Sequence, residues 1–475
     1  MIGTKRFTLR ARLAAIALGL ALALPAAAGA AQVRLEMKAG GKIRFMTLKE
    51  AVILALRNNP EVKEAKAQVD IYRAKRAQAD AARWPQIEIL GVVGPVPAAR
   101  GNQIFSPDKT DGNTSIGIFQ SAKLQAIQPL YTFGLIDGLR TAARNGVRVH
   151  LEGVRLKKAD IVLKVNEYYY GVVTAREVRD FLIDTRGTLM KARAKLVELI
   201  EEEKGEEIDL YKLDAFSGEL EKGLNEADKN SSLALEALRF ATGLPSGARI
   251  DVVDKRIVPD PRPVQDLPVY KEMSLRLRPE IEQIASGLKA REALVKVERS
   301  QYWPQIFVAV IGSAANADNR STIRNPFIFD QFNHEFISAV AGFKWSINFG
   351  ITKGRVAEAE AELLKLEYTR QKARKGIPVQ VQKAFLELME ARKNIIATEK
   401  SYRAGRKWMI AAGANFDLGL GEPKEIFEAL GQYVKMRVAN LQALYNHNLS
   451  LARLEHASGS LVPKGAKPIG GESEK

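Results

Sequence analysis

The stretch "RWPQIEIL" at residues 83–90 and the stretch "YWPQIFVA" at residues 302–309 share a Trp-Pro-Gln-Ile block, which thus occurs once in each half of the chain. Proline stops a helix because it has no amide donor and disfavours helical geometry at the residue before it. In the first block, Gln86 and Glu88 alternate with two isoleucines, the period of two that is typical of a β-strand. Each block therefore predicts the point where a helix ends and a strand begins.

The sequence around these blocks is duplicated as a whole. The motif "YTFGLIDG" (131–138) corresponds to "INFGITKG" (347–354), at a slightly shorter offset than the one between the two WPQI blocks. At this same shorter offset, "LEALRFATG" (235–243) corresponds to "LARLEHASG" (451–459). The change of offset predicts a loop between the two blocks in each half, because insertions are tolerated mainly in exposed loops. A repeat of this length predicts two similar structural units.

The predicted domain organisation follows from this duplication. We expect a signal peptide, a first repeat, a proline-rich linker, a second repeat and a disordered tail, at 1–31, 32–243, 244–269, 270–459 and 460–475. Each repeat should hold two strands followed by long helices: strands at about 84–94 and 116–131 with helices at 138–240, then strands at about 303–312 and 336–349 with helices at 354–457.

The long helices and the last strand carry distinct apolar patterns. From Val147 to Leu182, apolar residues recur about every 3.5 positions, which indicates a coiled-coil seam. In "FKWSINFG" (343–350), Trp345, Ile347 and Phe349 alternate with polar residues, as expected for a barrel wall with lipid outside and water inside. The predicted fold class is α+β, a duplicated unit of long coiled-coil helices plus a β-hairpin.

The N-terminus predicts export. "MIGTKRFTLRAR" carries four basic residues and no acid, and an apolar run with small residues around Ala28–Ala31 follows it. This is the pattern of a cleaved secretory signal, with an uncleaved membrane anchor as the alternative. Removing those four residues lowers the net charge from +17 to +13. Since basic and acidic residues are interleaved along the helical stretches, we expect solvated helix faces and no nucleic-acid partner.

The composition argues against an enzyme active site. The chain has no cysteine and only four scattered histidines, so we predict neither disulfides nor a lipid-bearing N-terminal cysteine nor a metal site. No nucleophile elbow or phosphate loop is present. We therefore predict no catalytic residues, no cofactors and no enzyme activity.

The strand count predicts oligomerisation. Four strands cannot close, and an open sheet edge in lipid leaves backbone groups unpaired, so several copies must share one barrel. Two copies would supply eight strands and three would supply twelve. Trp84-Pro85 and Trp303-Pro304 should lie at the membrane–water interface, which tryptophan favours. Tryptophan packed in a core beside a helix-ending proline is the alternative.

Taken together, the two halves, "TLKEAVILALRNNPEV" at the start, the repeated WPQI strands, the Y-x-F-G exit into a long helix and the L-x-x-L-x-x-x-x-G ending resemble the TolC family of outer-membrane efflux and secretion ducts. The resemblance implies a homotrimer in the outer membrane of a Gram-negative bacterium, with a 12-stranded β-barrel continued by an α-helical periplasmic tunnel. It also implies a periplasmic adaptor and an inner-membrane pump of the RND, ABC or MFS type, for efflux or type I secretion. With no lipid anchor, only the strands would hold the chain in outer-membrane lipid.

The resemblance also implies candidate site residues at the turns that join the paired long helices. Glu425 and Glu428 match positions whose carboxylates ring the closed entrance in the family, although ordinary solvated glutamates near a helix start are the alternative. The turns themselves, with Gly205, Gly419 and Gly421, should contact the adaptor. A different class of function, a soluble periplasmic coiled-coil adaptor, would need no lipid-facing strands.

Overall fold

The structure is a computed structural model that describes residues 43–99, 110–323, 325–418 and 420–462. The predicted signal peptide, most of the predicted tail and Gly419 lie outside this range. The helices are α1 (Leu48–Asn58), α2 (Pro60–Ala81), α3 (Leu135–Glu201), α4 (Glu207–Ala241), α5 (Leu267–Leu277), α6 (Pro279–Ser300), α7 (Ile351–Asp417) and α8 (Pro423–Ser458). The strands are β1 (Arg44–Met46), β2 (Gln86–Ala99), β3 (Thr110–Tyr131), β4 (Ile250–Val252), β5 (Gln305–Ala317) and β6 (His334–Lys344).

Local chemistry fixes where several helices begin. Thr47 and Glu50 form a capping box, in which each side chain bonds the other residue's backbone amide at the start of α1. Helices α2 and α6 begin at Pro60 and Pro279, where the missing amide costs nothing because the first helical amides have no partner in the helix. In the described part of the chain, none of the helices combines the length and apolar content that a bilayer crossing requires.

The duplication extends to the buried core. Corresponding positions of the two repeats are fully buried in both: Val165 with Val381, Val172 with Leu388, and Leu238 with Leu454. In the first repeat these residues pack α1, α3 and α4 together, and in the second they pack α5, α7 and α8. The same amphipathic pattern therefore builds the same helix cluster twice.

The two repeats also close in the same way. Gly243, just after α4, has φ +66°, and a Cβ atom there would lie 2.6 Å from the backbone of Asn58. Gly459, just after α8, has φ +77°, and its Cβ would lie 2.7 Å from the backbone nitrogen of Arg278. Each glycine lets the end of a long helix pack on the junction between the two short helices of its repeat, where a side chain would not fit.

Helices α3 and α7 are 67 residues long, which is about 100 Å at 1.5 Å per residue. Along the C-terminal half of α3, Leu182, Leu189 and Leu196 recur every seven residues and pack against Leu213 and Leu220 of α4. This spacing is the heptad seam of a coiled coil.

The four longer strands form one antiparallel sheet in the order β2-β3-β5-β6. Strands β2 and β6 are its edges, and in the described residues their outer sides pair with no other strand, apart from one bridge between Ala99 and Arg320 at the end of β2. β2 extends five residues beyond the predicted end at 94 and includes Pro95 and Pro97. Proline is tolerated there because an edge strand has amides that need no partner in the sheet.

The register assigns the strand residues to two faces, since directly paired residues point the same way. One face, here named the apolar face, carries Ile87, Ile89, Leu124, Ala126, Val308, Val310, Ile337, Ala339 and Phe343. The opposite face, named the polar face, carries Glu88, Lys123, Gln125, Ser313 and Ser338 together with apolar residues such as Leu90, Ile311 and Phe336. Glu335 shares the apolar face where β6 leaves its loop.

The predicted strand at 336–349 is wrong at its C-terminal end. β6 stops at Lys344, so Trp345, Ile347 and Phe349 are not strand residues. Lys344 pairs with Gln305, the first residue of β5, and Pro304 before it has no amide to offer. The alternating pattern therefore continues past the point where a pairing partner exists within the chain.

The linker, residues 244–269, is bound to the long helices by hydrogen bonds. Its strand β4 pairs in parallel with β1. The hydroxyl of Tyr169 donates to Asp254 at 2.8 Å, and the amide of Ile257 donates to Glu177 at 2.7 Å. Asn448 of α8 bonds the backbone at Val258 and at Asp260, both at 2.9 Å. The linker thus ties α3 to α8.

Candidate functional site

The junction between helices and strands places the four predicted interface residues in matched positions. The amide of Trp84 donates to the carbonyl of Ala81 at 2.9 Å, and the amide of Trp303 donates to the carbonyl of Ser300 at 3.1 Å. Both indoles are more than half exposed. Pro85 and Pro304 follow directly and precede β2 and β5. The alternative of a tryptophan buried in a core does not fit this exposure in the single chain.

Further aromatic side chains surround this junction. Phe133 stacks on Trp303 with ring centroids 5.4 Å apart, and Tyr131 meets Phe133 edge-on at 4.6 Å. The indole nitrogen of Trp345 donates to the carbonyl of Tyr302 at 3.2 Å. An aromatic layer with polar tips is the composition that membrane interfaces favour.

An ion pair ties α2 to α3 just below the aromatic layer. Arg140 donates to Asp80 at 2.9 Å. This hydrogen bond, with the positive charge of the guanidinium, holds the pKa of the Asp80 carboxyl below its usual value. Both side chains are partly exposed, so the pair positions the helices more than it stabilises them.

The turns at the opposite ends of the long helices are also duplicated. The amide of Lys204 donates to the carbonyl of Leu199 at 2.8 Å, and the amide of Leu420 donates to the carbonyl of Asn415 at 2.8 Å. A Cβ atom at Gly205 would lie 3.1 Å from Ile200, and one at Gly421 would lie 3.0 Å from Asn415. The two predicted glycines thus allow each turn to fold tightly against the helix before it.

The predicted carboxylates lie at the start of α8. Glu425 and Glu428 are both exposed and one helical turn apart. The Glu428 carboxylate lies 4.0 Å from the ammonium of Lys424, while the backbone amide of Glu425 donates to the carbonyl of Glu422 at 3.1 Å. The structure therefore brings the two carboxylates to one exposed surface beside the second turn.

The equivalent surface in the first repeat is different. Asp209 and Lys212 occupy the positions that correspond to Glu425 and Glu428, and they form an ion pair at 2.9 Å. Asp209 is almost fully buried. The repeat offset, applied to Glu425, would have found this residue in the sequence. As a result, the second turn carries two exposed carboxylates where the first carries a neutralised pair.

The first turn has its own acidic residues. Lys204 pairs with Glu202 at 3.0 Å, and this hydrogen bond lowers the pKa of the Glu202 carboxyl. In the residues that the structure describes, no group of three or more histidines and carboxylates lies close enough to hold a metal ion. What the turns offer is a charged, exposed surface.

Residues 272–460 match the model of a family described as outer membrane efflux proteins. This match covers nearly the whole of the second repeat. The first repeat has the same element order and the same buried positions, so the efflux-family fold extends over both halves. The resemblance to the TolC family is thereby confirmed. No curated protein matches the chain by sequence.

Solved outer-membrane channels share the efflux-family fold. The Campylobacter jejuni channel CmeC superposes with a TM-score of 0.73 at 16% identity, over 89% of this chain and 87% of that chain. The Vibrio cholerae outer membrane protein VceC gives 0.70 at 14%, over 87% and 96%. The open state of the Neisseria gonorrhoeae channel MtrE gives 0.70 at 16%, over 88% and 89%. At identities this low, the structural similarity establishes the fold alone. That fold is the predicted α+β architecture.

Proposed function

We propose that the chain forms, with two further copies, the outer-membrane exit duct of a tripartite efflux or type I secretion system. The observation that carries this proposal is a four-stranded sheet whose two edges are open over most of their length and whose one face is mainly apolar, continued by helices of about 100 Å. An exposed apolar sheet face of this size is costly in water and favourable in lipid. A soluble adaptor would have to expose this apolar face to water.

Three copies would close the sheet. Edge β2 of one copy pairs with edge β6 of the next, which gives twelve strands and leaves no backbone group unpaired in the membrane. The shortest of the four strands in this sheet, β6, has 11 residues, enough for a tilted crossing of about 9–11 residues. In this arrangement the apolar face contacts lipid, and Trp84, Pro85, Trp303 and Pro304 mark the periplasmic membrane interface.

The two turns at the far ends of the long helices would form the periplasmic entrance and contact the adaptor protein. Leu418 and Leu420 in the second turn are 72% and 80% exposed, beside Gly421. Exposed leucines at a helix tip favour burial by a partner. The duct itself performs no chemistry, and an inner-membrane pump supplies the energy. We propose a periplasmic tunnel and a cleaved signal peptide as part of this function.

The mass of the mature protein purified in detergent tests the proposal. Light scattering corrected for bound detergent should give three copies per particle, extracted from the outer membrane. A monomer would contradict the shared sheet, because the edges of β2 and β6 would then stay open. A protein released without detergent would contradict the membrane location and favour the soluble adaptor.

Glu425 and Glu428 are proposed to line the entrance. The double variant Glu425→Gln with Glu428→Gln removes six negative charges from a trimer at one constriction. We expect the cation-to-anion permeability ratio in planar bilayers to fall by about tenfold, because clustered charges at a narrow opening concentrate counter-ions.

A matched control removes the same charge from the other turn. Glu202→Gln with Glu203→Gln leaves Glu425 and Glu428 in place, and should change the permeability ratio much less. Equal effects of the two double variants would mean that the entrance field is diffuse, and an unchanged ratio in the first would exclude the proposed role of Glu425 and Glu428.

A further inference from the structure

A groove of about 550 Å³ runs between α3 and α6 immediately below the sheet. Its upper end is the stacked pair of Phe133 and Trp303, and its sides include Thr141 and Asn145 from α3 and Lys296 from α6. The volume is in the range of small-molecule sites. Since the stacked pair belongs to the proposed membrane interface, the groove opens at the level where lipid headgroups lie.

Asn145 provides an unpaired acceptor in this groove. The residue is only 4% exposed. Its amide nitrogen donates to the carbonyl of Thr141 at 2.9 Å, which fixes the orientation of the side chain. Its Oδ1 atom is buried and has no hydrogen-bond partner. A buried acceptor without a donor is costly, and a ligand with an N–H group would remove that cost.

The charged residues of the groove have both signs. Within the described residues, Lys289, Lys296 and Glu292 make no ion pair. Arg299 forms an ion pair with Glu360 at 2.6 Å, and Asp137 forms an ion pair with Arg140 at 3.4 Å. The free charges are therefore two ammonium groups and one carboxylate. This combination suits a ligand that carries a phosphate and an amine together, because a simple anion would leave the buried Asn145 acceptor unsatisfied and would be repelled by the Glu292 carboxylate.

The groove stays open when copies assemble as proposed. Below the sheet the helices follow the strand order, with α2 leading into β2, α3 leaving β3, α6 leading into β5 and α7 leaving β6. Neighbouring copies would meet through α2 and α7, which lie under the two sheet edges. The α3–α6 groove lies in the middle of the chain, away from both.

We propose that this groove binds the phosphoethanolamine headgroup of a membrane phospholipid. The phosphate lies against the ammonium groups of Lys296 and Lys289, and the lipid ammonium donates to Oδ1 of Asn145 and to Glu292. The Phe133–Trp303 pair contacts the glycerol end, where the lipid enters the bilayer. This site rests on the proposed membrane function and gives the chain a specific contact with the bilayer.

Native mass spectrometry of the detergent-solubilised protein tests the site with three lipids of matched acyl chains. Phosphatidylethanolamine offers phosphate and charged N–H donors, phosphatidylcholine offers phosphate with a cation that has no N–H, and phosphatidylglycerol offers phosphate with neutral hydroxyl donors and no cation. We expect phosphatidylethanolamine to be retained about tenfold better than either, because a hydrogen bond to a charged group distinguishes it. Equal retention of all three overturns the proposal.

Variants separate the two halves of the headgroup. Asn145→Leu should abolish the preference for phosphatidylethanolamine over phosphatidylcholine, whereas Asn145→Asp, which keeps the acceptor and adds charge, should retain or increase it. Lys296→Gln should weaken retention of all three lipids. Lys372→Gln removes an exposed lysine of α7 that does not line the groove, and should change nothing.

Two outcomes distinguish a failure of the lipid site from a failure of the proposed function. A trimer that retains phosphatidylethanolamine no better after Asn145→Asp than after Asn145→Leu overturns the headgroup site and leaves the duct intact. A monomeric mass in the same spectra contradicts the proposed function instead. Soluble phosphoethanolamine that displaces the lipid at equal concentration would show that the groove takes a free metabolite, which overturns the lipid assignment.

Discussion

The Val310→Lys variant is expected to fail to assemble in the outer membrane, whereas Ile311→Lys is expected to assemble. The two residues are neighbours at the centre of β5, and they are 38% and 37% exposed. They differ in the face they occupy: Val310 pairs with Ala126 and Ala339 on the apolar face, and Ile311 pairs with Gln125 and Ser338 on the polar face. A lysine facing lipid near the bilayer centre costs about 2–4 kcal/mol per strand, while one facing the water-filled interior costs little.

The measurement is the amount of heat-modifiable trimer, seen as a band when purified outer membranes are run on a gel without heating. We expect Val310→Lys to reduce the trimer band severely, because three copies each carry the cost. Ile311→Lys is the matched control and should run like the unchanged protein, with an altered single-channel conductance. The opposite result would exchange the two faces and contradict the proposed barrel.

The second large effect concerns the closing glycines. Gly243→Ala is expected to destabilise the chain by about 2–5 kcal/mol, from a left-handed backbone that alanine disfavours and from overpacking against a neighbour. The neighbour is the backbone of Asn58, 2.6 Å from the new Cβ, and it cannot move aside as a side chain could. Gly459→Ala should cost a similar amount, because its Cβ would meet the backbone at Leu277 and Arg278.

Gly247→Ala is the control, since this linker glycine has open space around its Cβ position. The onset temperature of thermal unfolding, measured in detergent for all three variants, checks the prediction. Normal stability of Gly243→Ala would mean that α4 does not end against the α1–α2 junction as described.

Strand starts could be predicted because tryptophan and proline act locally. Trp84 and Trp303 precede prolines that no helix can continue through, and the strands begin at the next residue. Strand ends could not be predicted, because they depend on partners. Pro95 reads as a breaker and is tolerated on an edge, while the pattern through Ile347 reads as a strand and has no partner within the chain.

The candidate site was predictable to the same limited extent. The one-turn spacing of Glu425 and Glu428 places both on one helix face in any helix. Whether a carboxylate is neutralised depends on the neighbouring element, and Asp209 shows that the same position can be buried and paired. The α3–α6 groove has no sequence signature, because Asn145 and Lys296 lie far apart in the chain and meet only through helix packing.

The pairing of β1 with β4 joins the start of the first repeat to the linker that follows it, and its high sequence separation makes it a contact whose loop-closure entropy slows folding. If the chain is exported N-terminus first, as the proposed function requires, Arg44–Met46 cross the inner membrane before the rest of the first repeat, and their partner Ile250–Val252 crosses only after it. During that interval Met46, fully buried in the finished fold, is exposed to water. In export of this kind, the order of translocation imposes an interval in which the first repeat can form its helices but cannot complete its core, and we expect periplasmic chaperones to bind in that interval.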